Sequence, residues 1–311
     1  MSNSVATSAI HTDQLSRYLL PELGIRVAIA RIEAVQSELL KRHSYPAEYS
    51  EELSKLACAA ALLCSTVKLE GRLLLQRRAK VSGAQVLCEC NHLGEIRGLA
   101  RIPDISPTPS LRASAGVLAI TLEPEQGERY QGIVAVDAEI IDAESGQKLH
   151  ASAGSLVTAL ESYFERSEQI PTRIFLAHSE KLSVGMIAQR IPGEGGTGTL
   201  DEDGWNRAQH LFQTLHQDEL LAIDANELMS RLFSEEKVQV LKSQNLRFHC
   251  TCSKNRLKHV LISLGAHEAM ACVQQDGFVS ATCEFCGSHY QFDAFEMGSW
   301  FSAAEQIETK H

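Results

Sequence analysis

Cys250-Thr251-Cys252 and Cys283-Glu284-Phe285-Cys286 set two thiol pairs thirty residues apart in the last quarter of the chain. Four thiolates can complete a tetrahedron around one metal ion, and zinc, borderline-soft and without a geometric preference of its own, suits such a shell. The pairing, with Gly287 free to turn tightly after the second pair, favours zinc over an iron–sulfur cluster. Cys250, Cys252, Cys283 and Cys286 are therefore the expected metal ligands. The single residue inside Cys250-x-Cys252 also makes a disulfide there strained and easily reduced, which suits a reversible switch.

The thirty residues between the pairs carry Leu257, Val260, Leu261 and Leu264 at helical spacing, too little apolar surface for a stable core. Tyr290 and Phe292 alternate on a following strand and add a small backing. Zinc is thus expected to contribute on the order of 10 kcal/mol to folding of this module. Cys272 is a poor fifth candidate on a short apolar helical segment, and His249, His259, His267 and His289 are nearby substitutes that a complete sulfur shell does not need. From Lys237 to His267 there are six basic residues and no acidic one. This run is read first as electrostatic tuning of the thiolates, with a solvated helix face and a nucleic-acid patch as alternatives.

Composition narrows the setting. The chain has 311 residues, 44% hydrophobic and 22% charged, enough for one large domain and one or two small ones. It shows neither an apolar run of membrane-spanning length nor a secretory leader, so a cytoplasmic location is expected. Nine cysteines in that setting point to metal, redox or packing roles rather than to extracellular disulfides. A net charge of −10 disfavours general nucleic-acid binding.

The elements that must carry the site begin with a helix whose stripe includes Leu53, Leu56, Ala57, Ala60, Leu63, Cys64 and Val67; Cys64 and its neighbour Cys58 read as buried packing residues. Strand-like alternation follows at Leu73 and Leu75, then at Val86, Cys88 and Cys90 before a turn at Asn91–Gly94. Cys88 and Cys90 share one face and read as structural, with oxidation the leading exception. Pro103, Pro107 and Pro109 mark a loop, and Gly116–Leu122 with Gly132–Val136 reads as a hairpin. Ser155 caps a predicted helix through Leu156, Ala159, Leu160, Tyr163 and Phe164, and Arg173–Ala177 and Met186–Ile191 return as strands to the sheet.

The run Pro192 to Gly198 is read as a loop, because no Gly-Lys-Ser or Gly-Lys-Thr follows and Asp201, Glu202 and Asp203 would repel phosphate. Beyond it, Trp205, Ala208, Leu211, Phe212 and Leu215, then Leu220, Leu221, Leu228, Leu232 and Phe233, form apolar faces on short helices. With nine acidic against four basic side chains from Asp201 to Asn245, the stretch reads as a linker ordered only while packed on a neighbour. The expected organisation is α+β: a mixed α/β domain over 1–192, an acidic helical linker over 193–245 and a four-cysteine zinc domain over 246–311.

These residues resemble the heat shock protein 33 family of redox-regulated molecular chaperones. The resemblance rests on Cys250-Thr251-Cys252-Ser253 and Cys283-Glu284-Phe285-Cys286-Gly287, on Gly127-Glu128-Arg129-Tyr130-Gln131-Gly132, and on Tyr163-Phe164-Glu165-Arg166-Ser167-Glu168-Gln169-Ile170-Pro171-Thr172-Arg173, and runs from about His11 to Ile307. It implies a reduced form that holds one zinc ion on the four cysteines and is a poor chaperone. It further implies that oxidants form disulfides Cys250–Cys252 and Cys283–Cys286, release zinc, unstructure the linker and bare apolar surface. That surface, in the Leu211 and Phe212 region, on the large domain or on both, would hold unfolding client proteins without ATP, with a homodimer in the oxidised state. Cys88, Cys90, Cys272 and the Gly193–Gly198 loop lie outside the family pattern.

Two other readings use the same cysteines: a zinc ribbon that binds RNA or a ribosomal partner through Lys254 to Lys258, and a thiol oxidoreductase acting through Cys283-x-x-Cys286. The first 190 residues offer no acid, base or nucleophile arranged for small-molecule catalysis, so an enzyme is not expected.

Overall fold

A computed structural model describes residues 13–67, 70–137, 155–191, 203–271, 273 and 277–308. The Gly193–Gly198 loop and Cys272 lie outside the described residues. The chain divides into two compact units, Met1–His249 and Cys250–His311. Among the described residues no helix is long and apolar enough to cross a membrane.

The first unit opens with β1 (Gln14–Leu20), β2 (Ile25–Ile32), α1 (Ala34–Leu40) and α2 (Ala47–Thr66). Then come β3 (Gly71–Ala79), β4 (Gln85–Asn91), β5 (Glu95–Arg101), β6 (Gly116–Pro124), β7 (Tyr130–Val136) and α3 (Leu156–Tyr163). After β8 (Thr172–His178) and β9 (Ser183–Arg190) the chain forms α4 (Gly204–Gln213), α5 (Gln217–Ala222) and α6 (Ala225–Leu232), then the two-residue strands β10 (Gln239–Val240), β11 (Gln244–Asn245) and β12 (Arg247–Phe248).

The strands build two sheets, where the sequence led to the expectation of one. The first runs β10-β1-β2-β9-β8 with β11 also on β1, and the second runs β12-β5-β4-β3-β6-β7. The reason is α2, which packs against strands of both sheets. Residues 57–63, Ala57-Cys58-Ala59-Ala60-Ala61-Leu62-Leu63, are all buried. Successive helical residues point about 100° apart, so seven consecutive buried positions require neighbours on every side rather than along one stripe. Alanines keep the helix thin enough to fit. Gly185 on β9 completes the approach: a Cβ there would meet Leu62 Cδ1 at 2.8 Å and Cys58 Cβ at 3.0 Å.

Local expectations elsewhere match. β6 and β7 form the hairpin, with Gly116 opposite Val136. Ser155 Oγ accepts from the Thr158 N–H at 3.1 Å at the start of α3, and the helix then runs into a π-helical turn over Phe164–Glu168. Cys58, Cys64, Cys88 and Cys90 are all buried.

Alternation along the first sheet buries both of its faces. Ala28, Ala30 and Ile32 of β2 join the core around α2, while Ile25, Val27 and Ile29 face the other way with Tyr18, Val184 and Met186. That second face is covered by α4–α6 through Trp205, Ala208, Phe212, Leu220, Leu228 and Leu232. Phe212 is 1% exposed and meets Phe233 edge-on at 5.6 Å between centroids. Past α6, residues 239–248 run along the edge of the first sheet at β1 and then join the second beside β5.

The second unit consists of α7 (Lys254–Leu264), α8 (Ala266–Ala271), β13 (Phe278–Thr282), β14 (His289–Asp293) and α9 (Ala294–Glu308). β13 and β14 form an antiparallel hairpin. Its buried core is Ala269, Val279, Phe292, Met297 and Trp300. Leu257 and Leu261 pack against this core in part, whereas Val260 and Leu264 remain 55% and 51% exposed.

Candidate metal centre

Each thiol pair is placed by a local turn. Cys250 and Cys252 lie in the irregular chain just before α7, whose cap Ser253 accepts from the Arg256 N–H at 3.2 Å. Cys283 and Cys286 occupy the turn between β13 and β14, closed by the Gly287 N–H donating to the Cys283 carbonyl at 2.7 Å. Gly287 sits at φ 67°, in the left-handed region that glycine enters without steric cost.

The four sulfurs lie within 4.8 Å of one another. Cys250 and Cys283 Sγ are 3.7 Å apart, and Cys252 and Cys286 Sγ are 3.1 Å apart. A tetrahedral ion with metal–sulfur bonds of about 2.3 Å separates its sulfurs by roughly 3.8 Å, so the cluster has the dimensions of a single-ion shell. All four donors are sulfur, a set suited to a soft or borderline ion. The sequence-derived ligands are thus brought together.

Hydroxyl groups support the sulfurs. Burial opposes ionisation of Cys286, but Ser288, whose Oγ is 3.1 Å away, together with Cys252, outweighs it and lowers this thiol to about 6. Burial pushes the Cys252 thiol up, against a hydrogen bond donated by the Tyr290 hydroxyl at 3.1 Å. That bond to Cys252 raises Tyr290 itself to about 12. Sequence reasoning gave Tyr290 only an apolar role and overlooked Ser288. The available signal was position, two and four residues beyond Cys286.

Three residues of the basic run, Lys254, Arg256 and Lys258, have partners within the second unit. Lys254 pairs with Glu296 at 2.9 Å and lies 5.3 Å above the Phe292 ring, and Lys258 lies 5.1 Å above Trp300. Arg256 donates to the Thr251 carbonyl at 3.1 Å, fixing the residue between the first two cysteines. Two of these lysines thus also make cation–π contacts with aromatic residues of β14 and α9.

A mixed α/β body joined to a small unit with four convergent thiols defines a protein with a four-cysteine group that could hold a metal ion. A model of the Hsp33 protein family matches residues 13–293. The 33 kDa chaperonin of Pseudomonas aeruginosa strain LESB58 is 33% identical over 97% of this chain and 99% of its own length. The 33 kDa chaperonin of Serratia proteamaculans is 32% identical over 93% and 95%. The crystal structure of the 33 kDa chaperonin (heat shock protein 33 homolog) of Thermotoga maritima superposes with a TM-score of 0.76, covering 95% of this chain and 100% of that one; at 18% identity this is a shared fold. The chain belongs to the Hsp33 family.

Proposed function

We propose that the protein is a redox-regulated, ATP-independent chaperone that holds unfolding polypeptides. In the reduced state Cys250, Cys252, Cys283 and Cys286 would hold one zinc ion, which supplies the folding free energy that the small core of the second unit lacks. The convergence of the four sulfurs within 4.8 Å carries this reading. Oxidation withdraws two electrons from each cysteine pair, forming Cys250–Cys252 and Cys283–Cys286, and sulfurs so bonded lose the charge that makes them ligands. The zinc domain, 246–311, then loses its structure, and the acidic linker, 193–245, loosens from the large domain, 1–192.

The apolar sheet face beneath α4–α6, together with the faces of those helices, is what clients would meet. Family membership and the relatives' name, chaperonin, support the same reading. The oxidised protein would act as a homodimer in the cytoplasm, by binding and without catalytic turnover.

The deciding experiment follows light scattering from a thermally unfolding client. Peroxide-oxidised, zinc-free protein is expected to suppress aggregation at near-stoichiometric ratios, and reduced, zinc-loaded protein to do so barely. Equal activity of the two forms removes the redox control, and inactivity of both removes the chaperone assignment.

A further inference from the structure

The first unit contains a second pair of sulfurs that the four-cysteine centre does not use. Cys64 near the end of α2 and Cys90 on β4 both line a cleft of about 660 Å³, with Arg17, Ala61, His92 and Gln244 among its other walls. α2 packs on β4, which puts Cys64 and Cys90 on facing elements, and the Cys90 thiol donates to the Asn91 carbonyl at 3.4 Å. Cys64 is 7% exposed, against 1% for Cys90 and 0% for Cys58 and Cys88, so it is the body sulfur nearest to solvent.

The electrostatics single out the same atom. The neighbouring Cys90 thiol holds the Cys64 thiol below the ordinary thiol range, against burial and with help from Arg17. Arg17 is held over the cleft by donating to Gln244 Oε1 at 2.8 Å and to the Lys242 carbonyl at 3.3 Å. Burial pushes Cys58 and Cys88 the other way. A less deeply buried, anion-favoured sulfur beside a fully buried protonated one is the arrangement of an attacking and a resolving thiol.

We propose that Cys64 and Cys90 form a second oxidation site, where a hydroperoxide produces an intramolecular disulfide joining α2 to β4. The Cys64 thiolate attacks one peroxide oxygen: an S–O bond forms, the O–O bond breaks, and the departing hydroxide takes up a proton as water. Cys90 sulfur then attacks the Cys64 sulfenic acid: the S–S bond forms, the S–O bond breaks, and water leaves with the Cys90 proton. Two electrons pass from the sulfur pair to the peroxide. At the C-terminal centre, disulfides would remove metal ligands from a unit with a small core. Here the bond ties a buried helix to its sheet, so this disulfide tightens the body.

The test uses the reduced full-length protein. It is treated with hydrogen peroxide under native conditions, quenched with catalase, denatured, alkylated and digested for mass spectrometry. The expected product is a Cys64 peptide linked to a Cys90 peptide, 2 Da lighter than the sum of the two reduced peptides, in a sample whose Cys58 and Cys88 are fully alkylated. In Cys90→Ser, Cys64 should instead be trapped as a sulfenic acid by dimedone. Alkylation of Cys64 and Cys90 as complete as that of Cys58 and Cys88 overturns the proposal, as does over-oxidised Cys64 without a disulfide or a Cys64 disulfide to another partner. Should the variant fail to fold, the wild-type map decides. Because the map scores each cysteine separately, the result is independent of what happens at Cys250, Cys252, Cys283 and Cys286.

Discussion

Arg31 of β2 donates to the carbonyl of Ile223 at 2.7 Å, just beyond α5. The same guanidinium reaches the carbonyls of Leu220 at 3.2 Å and Leu221 at 3.3 Å. Terminal carbonyls of a helix have no partner within it, and a cation there meets both their hydrogen-bonding need and the helix dipole. Arg31→Met is expected to weaken the docking of α5 by about 1–2 kcal/mol. Hydrogen exchange over 204–233 should rise roughly ten-fold, in keeping with such a loss. Unchanged exchange would show that side-chain packing alone holds these helices.

Removing one ligand tests the metal. Cys283→Ser leaves three thiols and is expected to reduce bound zinc in the reduced protein from one equivalent to almost none. The second unit then loses on the order of 10 kcal/mol of support. Amide protection across β13, β14 and α9 should collapse while that of α2 persists, as read by hydrogen-exchange mass spectrometry.

Tyr290→Phe removes the hydroxyl that donates to Cys252 and leaves the ring. Groups that hydrogen-bond a metal ligand typically contribute about ten-fold or more in affinity. The variant should bind zinc roughly ten-fold more weakly and release it faster to a chelator, with its fold intact by circular dichroism.

His178 supplies a pH dependence. Its Nδ1 lies 2.8 Å from Ser183 Oγ, and Ser183 in turn donates to Gln36 at 2.6 Å. Burial is the largest influence and lowers its pKa from 6.5. The unfolded chain therefore binds the proton more readily than the folded one, so this contribution is fully present above pH 6.5 and is lost as pH falls toward the folded value. Thermal melts at pH 7.5 and 5.5 should show a smaller acid-induced drop for His178→Gln than for the wild type. An equal drop would place the acid sensitivity in other groups.

What could be read from the sequence was what is local. Cys250, Cys252, Cys283 and Cys286 follow from spacing, because turns of one and two residues fix where their sulfurs point. The Ser155 cap, the hairpin ahead of Val136 and the apolar faces around Phe212 and Leu228 are likewise encoded within a few residues.

Long-range packing was harder to read. The alanines of α2 look like part of a stripe, since a methyl group carries little hydrophobic periodicity, and only the fold reveals a helix enclosed between two sheets. Gln239–Val240, Gln244–Asn245 and Arg247–Phe248 are too short to alternate, so their pairing with β1 and β5 left no pattern. Lys254 and Lys258 read as a charge run because their aromatic partners, Phe292 and Trp300, lie about forty residues downstream.

The confinement of α2 has a mechanical meaning. A one-methylene enlargement at Ala59 or Ala60 has no free flank to expand into and must push two layers apart at once. Neither layer can swell without stripping the other of its shared support, so both must melt in a single step. Whatever a thiol reaction dissolves at the tail, the remainder is a stiff platform rather than a loosened globule.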